Sequence, residues 1–398
     1  MKLAERVSRI KPSATLTINS KAKALKQSGV HVVNFGVGEP DFDTPSHIQE
    51  AAVESMRSGQ TRYTAVGGID ELKDAVCRDI ENGYGLTYKR ENVLISCGGK
   101  HALYNLFQAV LDPGDEVIIP APYWVSYPDM VELAGAVPVT VPCSEQNAFK
   151  LQPEQLENAI TSRTRLFIIN SPSNPTGTHY TASDLKGLAE VLARHPDVLI
   201  ASDDIYCRIL FGGREWTNLA MVDERMIDRC FIINGVSKTY CMTGWRIGYL
   251  IGNEEVIRAA TKIQGQSTSN PTSISQYASL AALNGNRSLI DVMVRTFEER
   301  SRYVLARIGE LHGVTCPTPA GAFYVFPNFS AYFGRKVEGA SIANSVDLAD
   351  YLMEKAHVAV VPGSPFGEDR CIRISYALSM DDLKDGFDRI GAALAALK

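Results

Sequence analysis

Short, nearly unbroken apolar runs recur between residues 93 and 234, and no other feature of the sequence narrows the fold as much. They are Val93-Leu94-Ile95, Val117-Ile118-Ile119, residues 137–141, Leu166-Phe167-Ile168-Ile169, Val198-Leu199-Ile200-Ala201 and Phe231-Ile232-Ile233. A strand with one wet face alternates apolar and polar residues. These runs do not alternate, so each fits a strand buried on both faces. Longer amphipathic stretches lie between them. Residues 101–111 place apolar side chains at 103, 106, 107 and 110, and residues 182–193 read as a second helix. Strands that alternate with helices in this way predict a doubly wound α/β domain with a mostly parallel sheet.

The C-terminal third has a different character. Residues 288–311 predict a long, charged helix suited to bridging two domains. Strands follow at 322–326, 358–361 and 371–375, with helices at 346–356 and 380–396. That is a smaller α+β companion, and without a linker between them the two domains should pack closely. A chain of 398 residues, 45% hydrophobic and 21% charged, has the material for both and leaves disorder, collagen and repeat solenoids as poor fits. Forty Lys+Arg against 45 Asp+Glu give a net charge of −5, without the basic excess that nucleic acid or an acidic membrane would require. The eight cysteines are scattered, with no C-x-x-C, and read as reduced thiols of a cytoplasmic protein. The segment MKLAERVSRIKP has no apolar core of a signal peptide. No apolar run reaches the roughly 18–20 residues of a membrane span.

Several chemistries have no motif here. Gly98-Gly99-Lys100-His101 lacks the spacing and hydroxyl of a nucleotide phosphate loop, and Asp41 stands where a dinucleotide fingerprint beginning at Gly36 needs its third glycine. There is no H-E-x-x-H, the seven histidines are dispersed, and no metal site is expected. G-x-S-x-G is also missing. Lysine, arginine, aspartate and tyrosine remain, a set suited to an organic cofactor carrying a phosphate and an aldehyde.

Those residues fall at successive strand ends. Ser237-Lys238 follows the run ending at Asn234, and Arg246 sits eight residues beyond Lys238 among glycines and apolar residues. A hydroxyl, an amine and a guanidinium so close together suit one phosphate and one carbonyl. Asp203 follows residues 198–201, at the end of a parallel strand where such sheets bind ligands. Asn174-Pro175-Thr176-Gly177 makes a rigid turn, and Gly98-Gly99 opens a helix whose free N–H groups suit a phosphate. Taken singly each has a plainer reading: a solvated loop lysine, a structural ion pair, a helix-capping aspartate.

Together with longer matches, these residues resemble a known family. The matches include Lys11-Pro12-Ser13-Ala14-Thr15, Gly38-Glu39-Pro40-Asp41-Phe42-Asp43-Thr44-Pro45 and Pro122-Tyr123-Trp124-Val125-Ser126-Tyr127-Pro128. Further on come Ser202-Asp203-Asp204-Ile205-Tyr206, Ser237-Lys238, Met242-Thr243-Gly244-Trp245-Arg246-Ile247-Gly248-Tyr249 and Arg373-Ile374-Ser375-Tyr376-Ala377. In these the chain resembles the class I aminotransferases of fold type I, which depend on pyridoxal 5'-phosphate, in the bacterial branch of aspartate aminotransferase. The resemblance implies a large domain over residues 46–295, and a small one, residues 1–45 with 296–398, that closes over the substrate. It implies that Lys238 holds the cofactor as a Schiff base and shuttles the α-proton. Asp203 would pair with the pyridine nitrogen, and Asn174 and Tyr206 with the ring oxygen, while Trp124 stacks on the ring. Gly98, Gly99, Ser237 and Arg246 would hold the phosphate, joined by Tyr63 of a neighbouring subunit in a homodimer with shared active sites. Arg373 would take the substrate α-carboxylate, with Gly38 nearby.

The implied reaction moves the amino group of aspartate to 2-oxoglutarate in two ping-pong halves. Lys100, Ser13 and Thr15 would read the distal carboxylate. Animal and enteric relatives use a partner arginine for it, and residues 266–270, Gln-Ser-Thr-Ser-Asn, offer none. Lys11 goes with amination of prephenate, so a glutamate/aspartate–prephenate or aromatic aminotransferase is the alternative. A lyase on the same scaffold and a regulator without turnover are the other readings. Cys207, Arg208 and Cys241 depart from common residues of the family and are expected to leave the cofactor chemistry intact while bearing on the pocket's shape.

Overall fold

The computed structural model describes residues 2–12, 14–337 and 340–398. Its central sheet has seven strands: β1 (Val93–Ser96), β2 (Glu116–Ala121), β3 (Val137–Pro142), β4 (Thr164–Asn170), β5 (Leu199–Asp203), β6 (Cys230–Gly235) and β7 (Gly248–Ile251). Their spatial order is β1-β7-β6-β5-β4-β2-β3. All run parallel except β7, which is antiparallel to both its neighbours. The sequence runs predict six of these strands; β7 was hidden behind the arginine motif. Its direction has a simple cause. Residues 236–247 join β6 to β7 without a crossover helix, and a connection of that kind returns the chain antiparallel.

Both faces of the sheet are covered, as the unbroken apolar runs require, except at β3: the run at 137–141 predicts burial on both faces, but β3 is an edge strand and none of its residues is buried. Ile118, Phe167, Ile169 and Ile200 pack with Leu188 and Leu192 of the helix Ala182–Ala193. Their sequence neighbours Val117, Ile119, Ile168 and Ala201 turn the other way, toward Leu106 and Phe107 of the helix Gly99–Val110. Each such fully buried side chain contributes roughly 1.5–3 kcal/mol. The pairing register sets Asn170 opposite Asp203, Asp203 opposite Ile233, and Gly235 opposite Gly248. Three strand ends therefore finish level, at the carboxyl edge where open α/β sheets hold ligands.

The remainder builds a second unit around the strands Val361–Pro362, Ile372–Ser375 and Tyr324–Val325, paired antiparallel in that order. The helices Ser288–Gly309 and Met380–Ala395 lie close to their predicted spans. The predicted strand at 358–361 splits in two. Val358–Ala359 pairs with Val33–Asn34, whereas Val361–Pro362 pairs with Ile372 and Arg373. The first pairing builds the N-terminal segment into the C-terminal unit. The strand expected at 322–326 is shorter, because Ala322 has φ 57°, outside the extended region. The last turn of the helix expected at 346–356 widens into a π-form over Leu352–Ala356. One apolar cluster joins Ile95, Ile232 and Tyr249 of the sheet to Phe35, Phe297, Tyr324 and Leu383, so the two units share a core.

Candidate active site

A cavity of about 280 Å³ opens beyond the ends of β4, β5 and β6, and both units line it. Asn170, Asn174, Asp203, Tyr206, Ser237 and Lys238 come from the sheet side, Thr15, Gly38, Tyr324 and Arg373 from the other. One end is built for an anion. Gly98 caps the helix Gly99–Val110 with φ 92°, and a Cβ there would stand 2.4 Å from Arg246 Nη2. A Cβ on Gly248 would stand 2.3 Å from the Gly99 nitrogen. Only glycines let the strand, the helix N-terminus and the arginine approach this closely. The first turn of the helix has N–H groups without helical partners. Arg246 donates to two backbone carbonyls, Thr243 O at 2.8 Å and Cys97 O at 3.3 Å, and to no carboxylate among the described residues. An unneutralised guanidinium beside a helix N-terminus suits an anion such as a phosphate.

The centre holds a buried acid and a buried amine. Asp203 is 6% exposed, and Tyr127 donates to its Oδ2 at 2.6 Å. It makes no ion pair among the described residues, and burial raises its carboxyl to about 6 against the hydrogen bond that opposes this. Lys238 Nζ donates to the Gly38 carbonyl at 2.5 Å. Burial lowers its amine to about 8, with Glu39 pulling the other way. A prediction follows for the cofactor-free protein. The neutral amine is the nucleophile, so Lys238 should react with trinitrobenzenesulfonate at a rate that rises with pH through a midpoint near 8. Peptide mapping across a pH series checks this; a midpoint above 10, as for an exposed lysine, would contradict it.

At the far end Arg373 is 2% exposed. Its Nη1 donates to Asn174 Oδ1 at 3.1 Å and its Nη2 to Gly36 O at 2.8 Å, while Nε has no partner. Tyr324 and Phe366 hold the guanidinium between their rings, at 4.7 and 5.3 Å. A buried cation with neutral partners and a free N–H lacks the carboxylate that would normally accompany it. At the mouth, Lys100 Nζ lies 4.9 Å over the Trp124 ring, and Thr15 and Leu16 face in from the helix Ala14–Gln27. Desolvation and nearby Arg246 hold the Lys100 amine below the ordinary lysine range.

Most of the residues picked out in the sequence thus meet in one place. Gly98 stands just behind the wall, against Arg246. Lys11 is not part of the wall; its backbone N–H reaches Asp129 Oδ1 at 3.4 Å. Ser13 lies outside the described residues. Tyr63 is 91% exposed and away from its own chain's cavity. Cys207, Arg208 and Cys241 do not line the cavity. Reading the sequence gave no role to several residues that do, among them Tyr127, Tyr324 and Leu16. Tyr127 carries a signal after the fact, since it stands three residues beyond Trp124, whose ring it meets edge-on at 5.3 Å.

The model of the family "Aminotransferase class I and II" matches residues 30–390. The chain belongs to this family. Among known aminotransferases, the aspartate/prephenate aminotransferase of Cereibacter sphaeroides is 50% identical over 396 residues, 99% of each chain. The aspartate aminotransferase of Bacillus subtilis is 48% identical, over 98% of each. A crystal structure of the Rhizobium meliloti aspartate aminotransferase superposes with a TM-score of 0.97 at 43% identity, covering 100% of both chains. The Thermus thermophilus enzyme with maleate gives 0.93 at 39%, covering 99% of this chain and 100% of that one. The fold is therefore fold type I, and this aminotransferase works with pyridoxal 5'-phosphate.

The residues present fit that cofactor. It combines a phosphate, a basic ring nitrogen and an aldehyde. The cavity offers an anion cup that a Cβ at Gly98 would fill, a buried carboxylate with no cation, and a buried amine depressed toward neutrality. The flat Trp124 ring forms part of the same wall. Each feature is costly to maintain without a ligand, and each answers one of the cofactor's three functional groups.

Proposed function

We propose that this aminotransferase moves the amino group of aspartate to 2-oxoglutarate. The observation that carries the reading is a pair of cations without carboxylate partners, Arg373 buried inside the cavity and Lys100 at its mouth, lining the same cavity as Lys238. Two such cations suit a substrate with two carboxylates. The names of relatives in Bacillus subtilis and Rhizobium meliloti support it.

Gly98, Gly99, Ser237 and Arg246 would hold the cofactor phosphate, Asp203 its ring nitrogen, Asn174 and Tyr206 its ring oxygen, and Trp124 its face. Bound there, pyridoxal phosphate supplies a carbon that accepts the amino group and a ring that draws electrons from the substrate α-carbon. Arg373 binds the α-carboxylate through its free Nε edge, which orients the α-hydrogen toward Lys238. Lys238 Nζ, neutral above about pH 8, takes that proton and later returns it. Gly38 O steadies the amine between transfers. Thr15 and Ser13 would complete the distal-carboxylate site beside Lys100 as residues 1–45 and 296–398 close over the large domain, residues 46–295. The pairing of Val33–Asn34 with Val358–Ala359 supports moving those two segments together.

The same reading takes the enzyme to be a homodimer, with Tyr63 reaching its partner's phosphate; a tyrosine 91% exposed is available for that contact. It places the enzyme in the cytoplasm, where its eight free cysteines would stay reduced. No helix among the described residues is long and apolar enough to cross a membrane.

Lys100→Ala tests the substrate assignment. Losing a charge-assisted hydrogen bond costs roughly 1.5–3 kcal/mol, or about 10- to 150-fold in kcat/KM. That loss is expected for aspartate and glutamate and should be small for alanine and phenylalanine. Equal losses for all four would show that Lys100 serves the cofactor or the fold. Prephenate is the second reading for the acceptor, supported by the Cereibacter sphaeroides relative's name and by Lys11. A panel of 2-oxoglutarate, oxaloacetate and prephenate as acceptors separates the two.

A further inference from the structure

Tyr206 and Tyr324 approach with their hydroxyl oxygens 3.1 Å apart, both side chains buried, both facing the cavity. They come from different units: Tyr206 follows β5, and Tyr324 lies on the short strand paired with Ser375. Their placement is fixed by rings. Tyr206 packs edge-on against Phe323 at 5.6 Å and against Tyr324 at 5.8 Å. Tyr324 is pinned under the Arg373 guanidinium at 4.7 Å. Two phenols at this distance share one hydrogen, and which oxygen gives it decides where the other hydrogen points.

We propose that Tyr324 is a positioning residue: its hydroxyl donates to the Tyr206 oxygen, so that the Tyr206 hydrogen points into the cavity toward the cofactor's ring oxygen. The inference rests on the reading that Tyr206 serves that oxygen. The charges around the pair set the direction. A guanidinium over the Tyr324 ring withdraws electron density and makes that phenol the better donor. Arg373 draws on Tyr206 as well, but Asp203 acts there with the opposite sign and partly offsets it, whereas the Tyr324 ring lies directly under the guanidinium, so the Tyr206 oxygen is the better acceptor. Glu39 acts on Tyr324 against the guanidinium, and less strongly than it. A phenol that accepts one hydrogen bond becomes a stronger donor in the next. Tyr324 thus sharpens the hydrogen bond that Tyr206 gives, and ties it to the arginine awaiting the α-carboxylate.

The test is a spectrophotometric pH titration of the bound cofactor in the holoenzyme, for the parent, Tyr324→Phe, Tyr206→Phe and the double variant. Donation to the ring oxygen favours the deprotonated chromophore, so losing it raises the midpoint. Tyr206→Phe should raise it by about one pH unit or more. Tyr324→Phe should raise it by roughly 0.3–0.6 of a unit, and the double variant should match Tyr206→Phe alone. A packing role would instead lower the thermal midpoint of unfolding and leave the two effects independent. As a second arm, 3-fluorotyrosine at position 324 keeps the ring, acidifies the phenol and should lower the titration midpoint. If Tyr206→Phe moves the titration while neither change at 324 does, or if the effects add, the role of Tyr324 is overturned and that of Tyr206 stands. If Tyr206→Phe moves nothing, both fall.

Discussion

Lys238→Ala should abolish transamination while leaving the protein folded. On the proposed mechanism the substitution removes both the covalent anchor and the amine that carries the α-proton. General acid–base catalysis alone is worth typically 10²–10⁴-fold, and the covalent route adds to it, so the expected fall in kcat is at least about 10⁴-fold. The scaffold has little reason to object. Lys238 makes no ion pair among the described residues, and its amine is held down toward 8 by burial, so its removal relieves a desolvation penalty. The proposed phosphate site at Arg246 and the helix Gly99–Val110 is untouched, and the variant should still take up cofactor without a covalent bond. A single-turnover measurement with aspartate, beside a thermal midpoint for the cofactor-free variant, checks both halves. Near-parental turnover would remove Lys238 from the mechanism.

How much of this could be read in the sequence depended on the range of the interaction concerned. Unbroken apolar runs announce burial on two faces, a local property, and six strands of the sheet were legible from them. β7 was not, because Gly248–Ile251 is short and its direction depends on the missing crossover helix, not on its own residues. Lys238, Asp203 and Asn174 could be picked out because each lies at or just after a strand end that the sheet fixes, and Arg246 because it stands among glycines close to Lys238 in sequence. Arg373 stands in a strand of the other unit, paired with Val361, and only resemblance brought it to the site. Tyr324 went unnoticed for the same reason. Nothing local in Ala322-Phe323-Tyr324 says that one ring will lie under Arg373 and reach Tyr206 across the chain.

The three residues expected to depart from the family show the opposite case, conspicuous in sequence and off the cavity wall. Arg208 points away from the cavity and pairs with Asp79 Oδ1 at 2.6 Å, where Arg287 also binds. Cys207 sits behind the site against Asn234 and Tyr84. Cys241 has φ 54°, and its carbonyl accepts from Thr44 Oγ1 at 2.7 Å, which ties the loop bearing Gly38 to the loop bearing Lys238. All three belong to the scaffold around the lysine, whereas Lys100 and Thr15, to which the proposed function gives substrate selection, line the cavity.

Asp203→Asn should separate catalysis from stability most sharply. The carboxyl stands near 6 in the folded protein against an ordinary 3.8, because burial penalises its charge. The sign follows from linkage. Between about pH 4 and pH 6 the unfolded chain gives up this proton before the folded one does, so folding stability falls as pH rises through that window. Above it the full penalty remains, about 1–3 kcal/mol on the scale of 1.36 kcal/mol per unit. Asparagine has no charge to bury and can still accept from Tyr127. The cofactor-free variant should therefore be more stable than the parent at pH 8 and nearly equal to it at pH 4. Turnover should move the other way. Without a carboxylate the ring nitrogen has no counter-charge to keep it protonated, and kcat should fall by at least about 10³-fold. Thermal denaturation of the two cofactor-free proteins at both pH values, with steady-state rates of the loaded enzymes, gives the comparison. A variant no more stable at pH 8 than its parent, or one that keeps its rate, would show that Asp203 is held there by the fold and not for the cofactor.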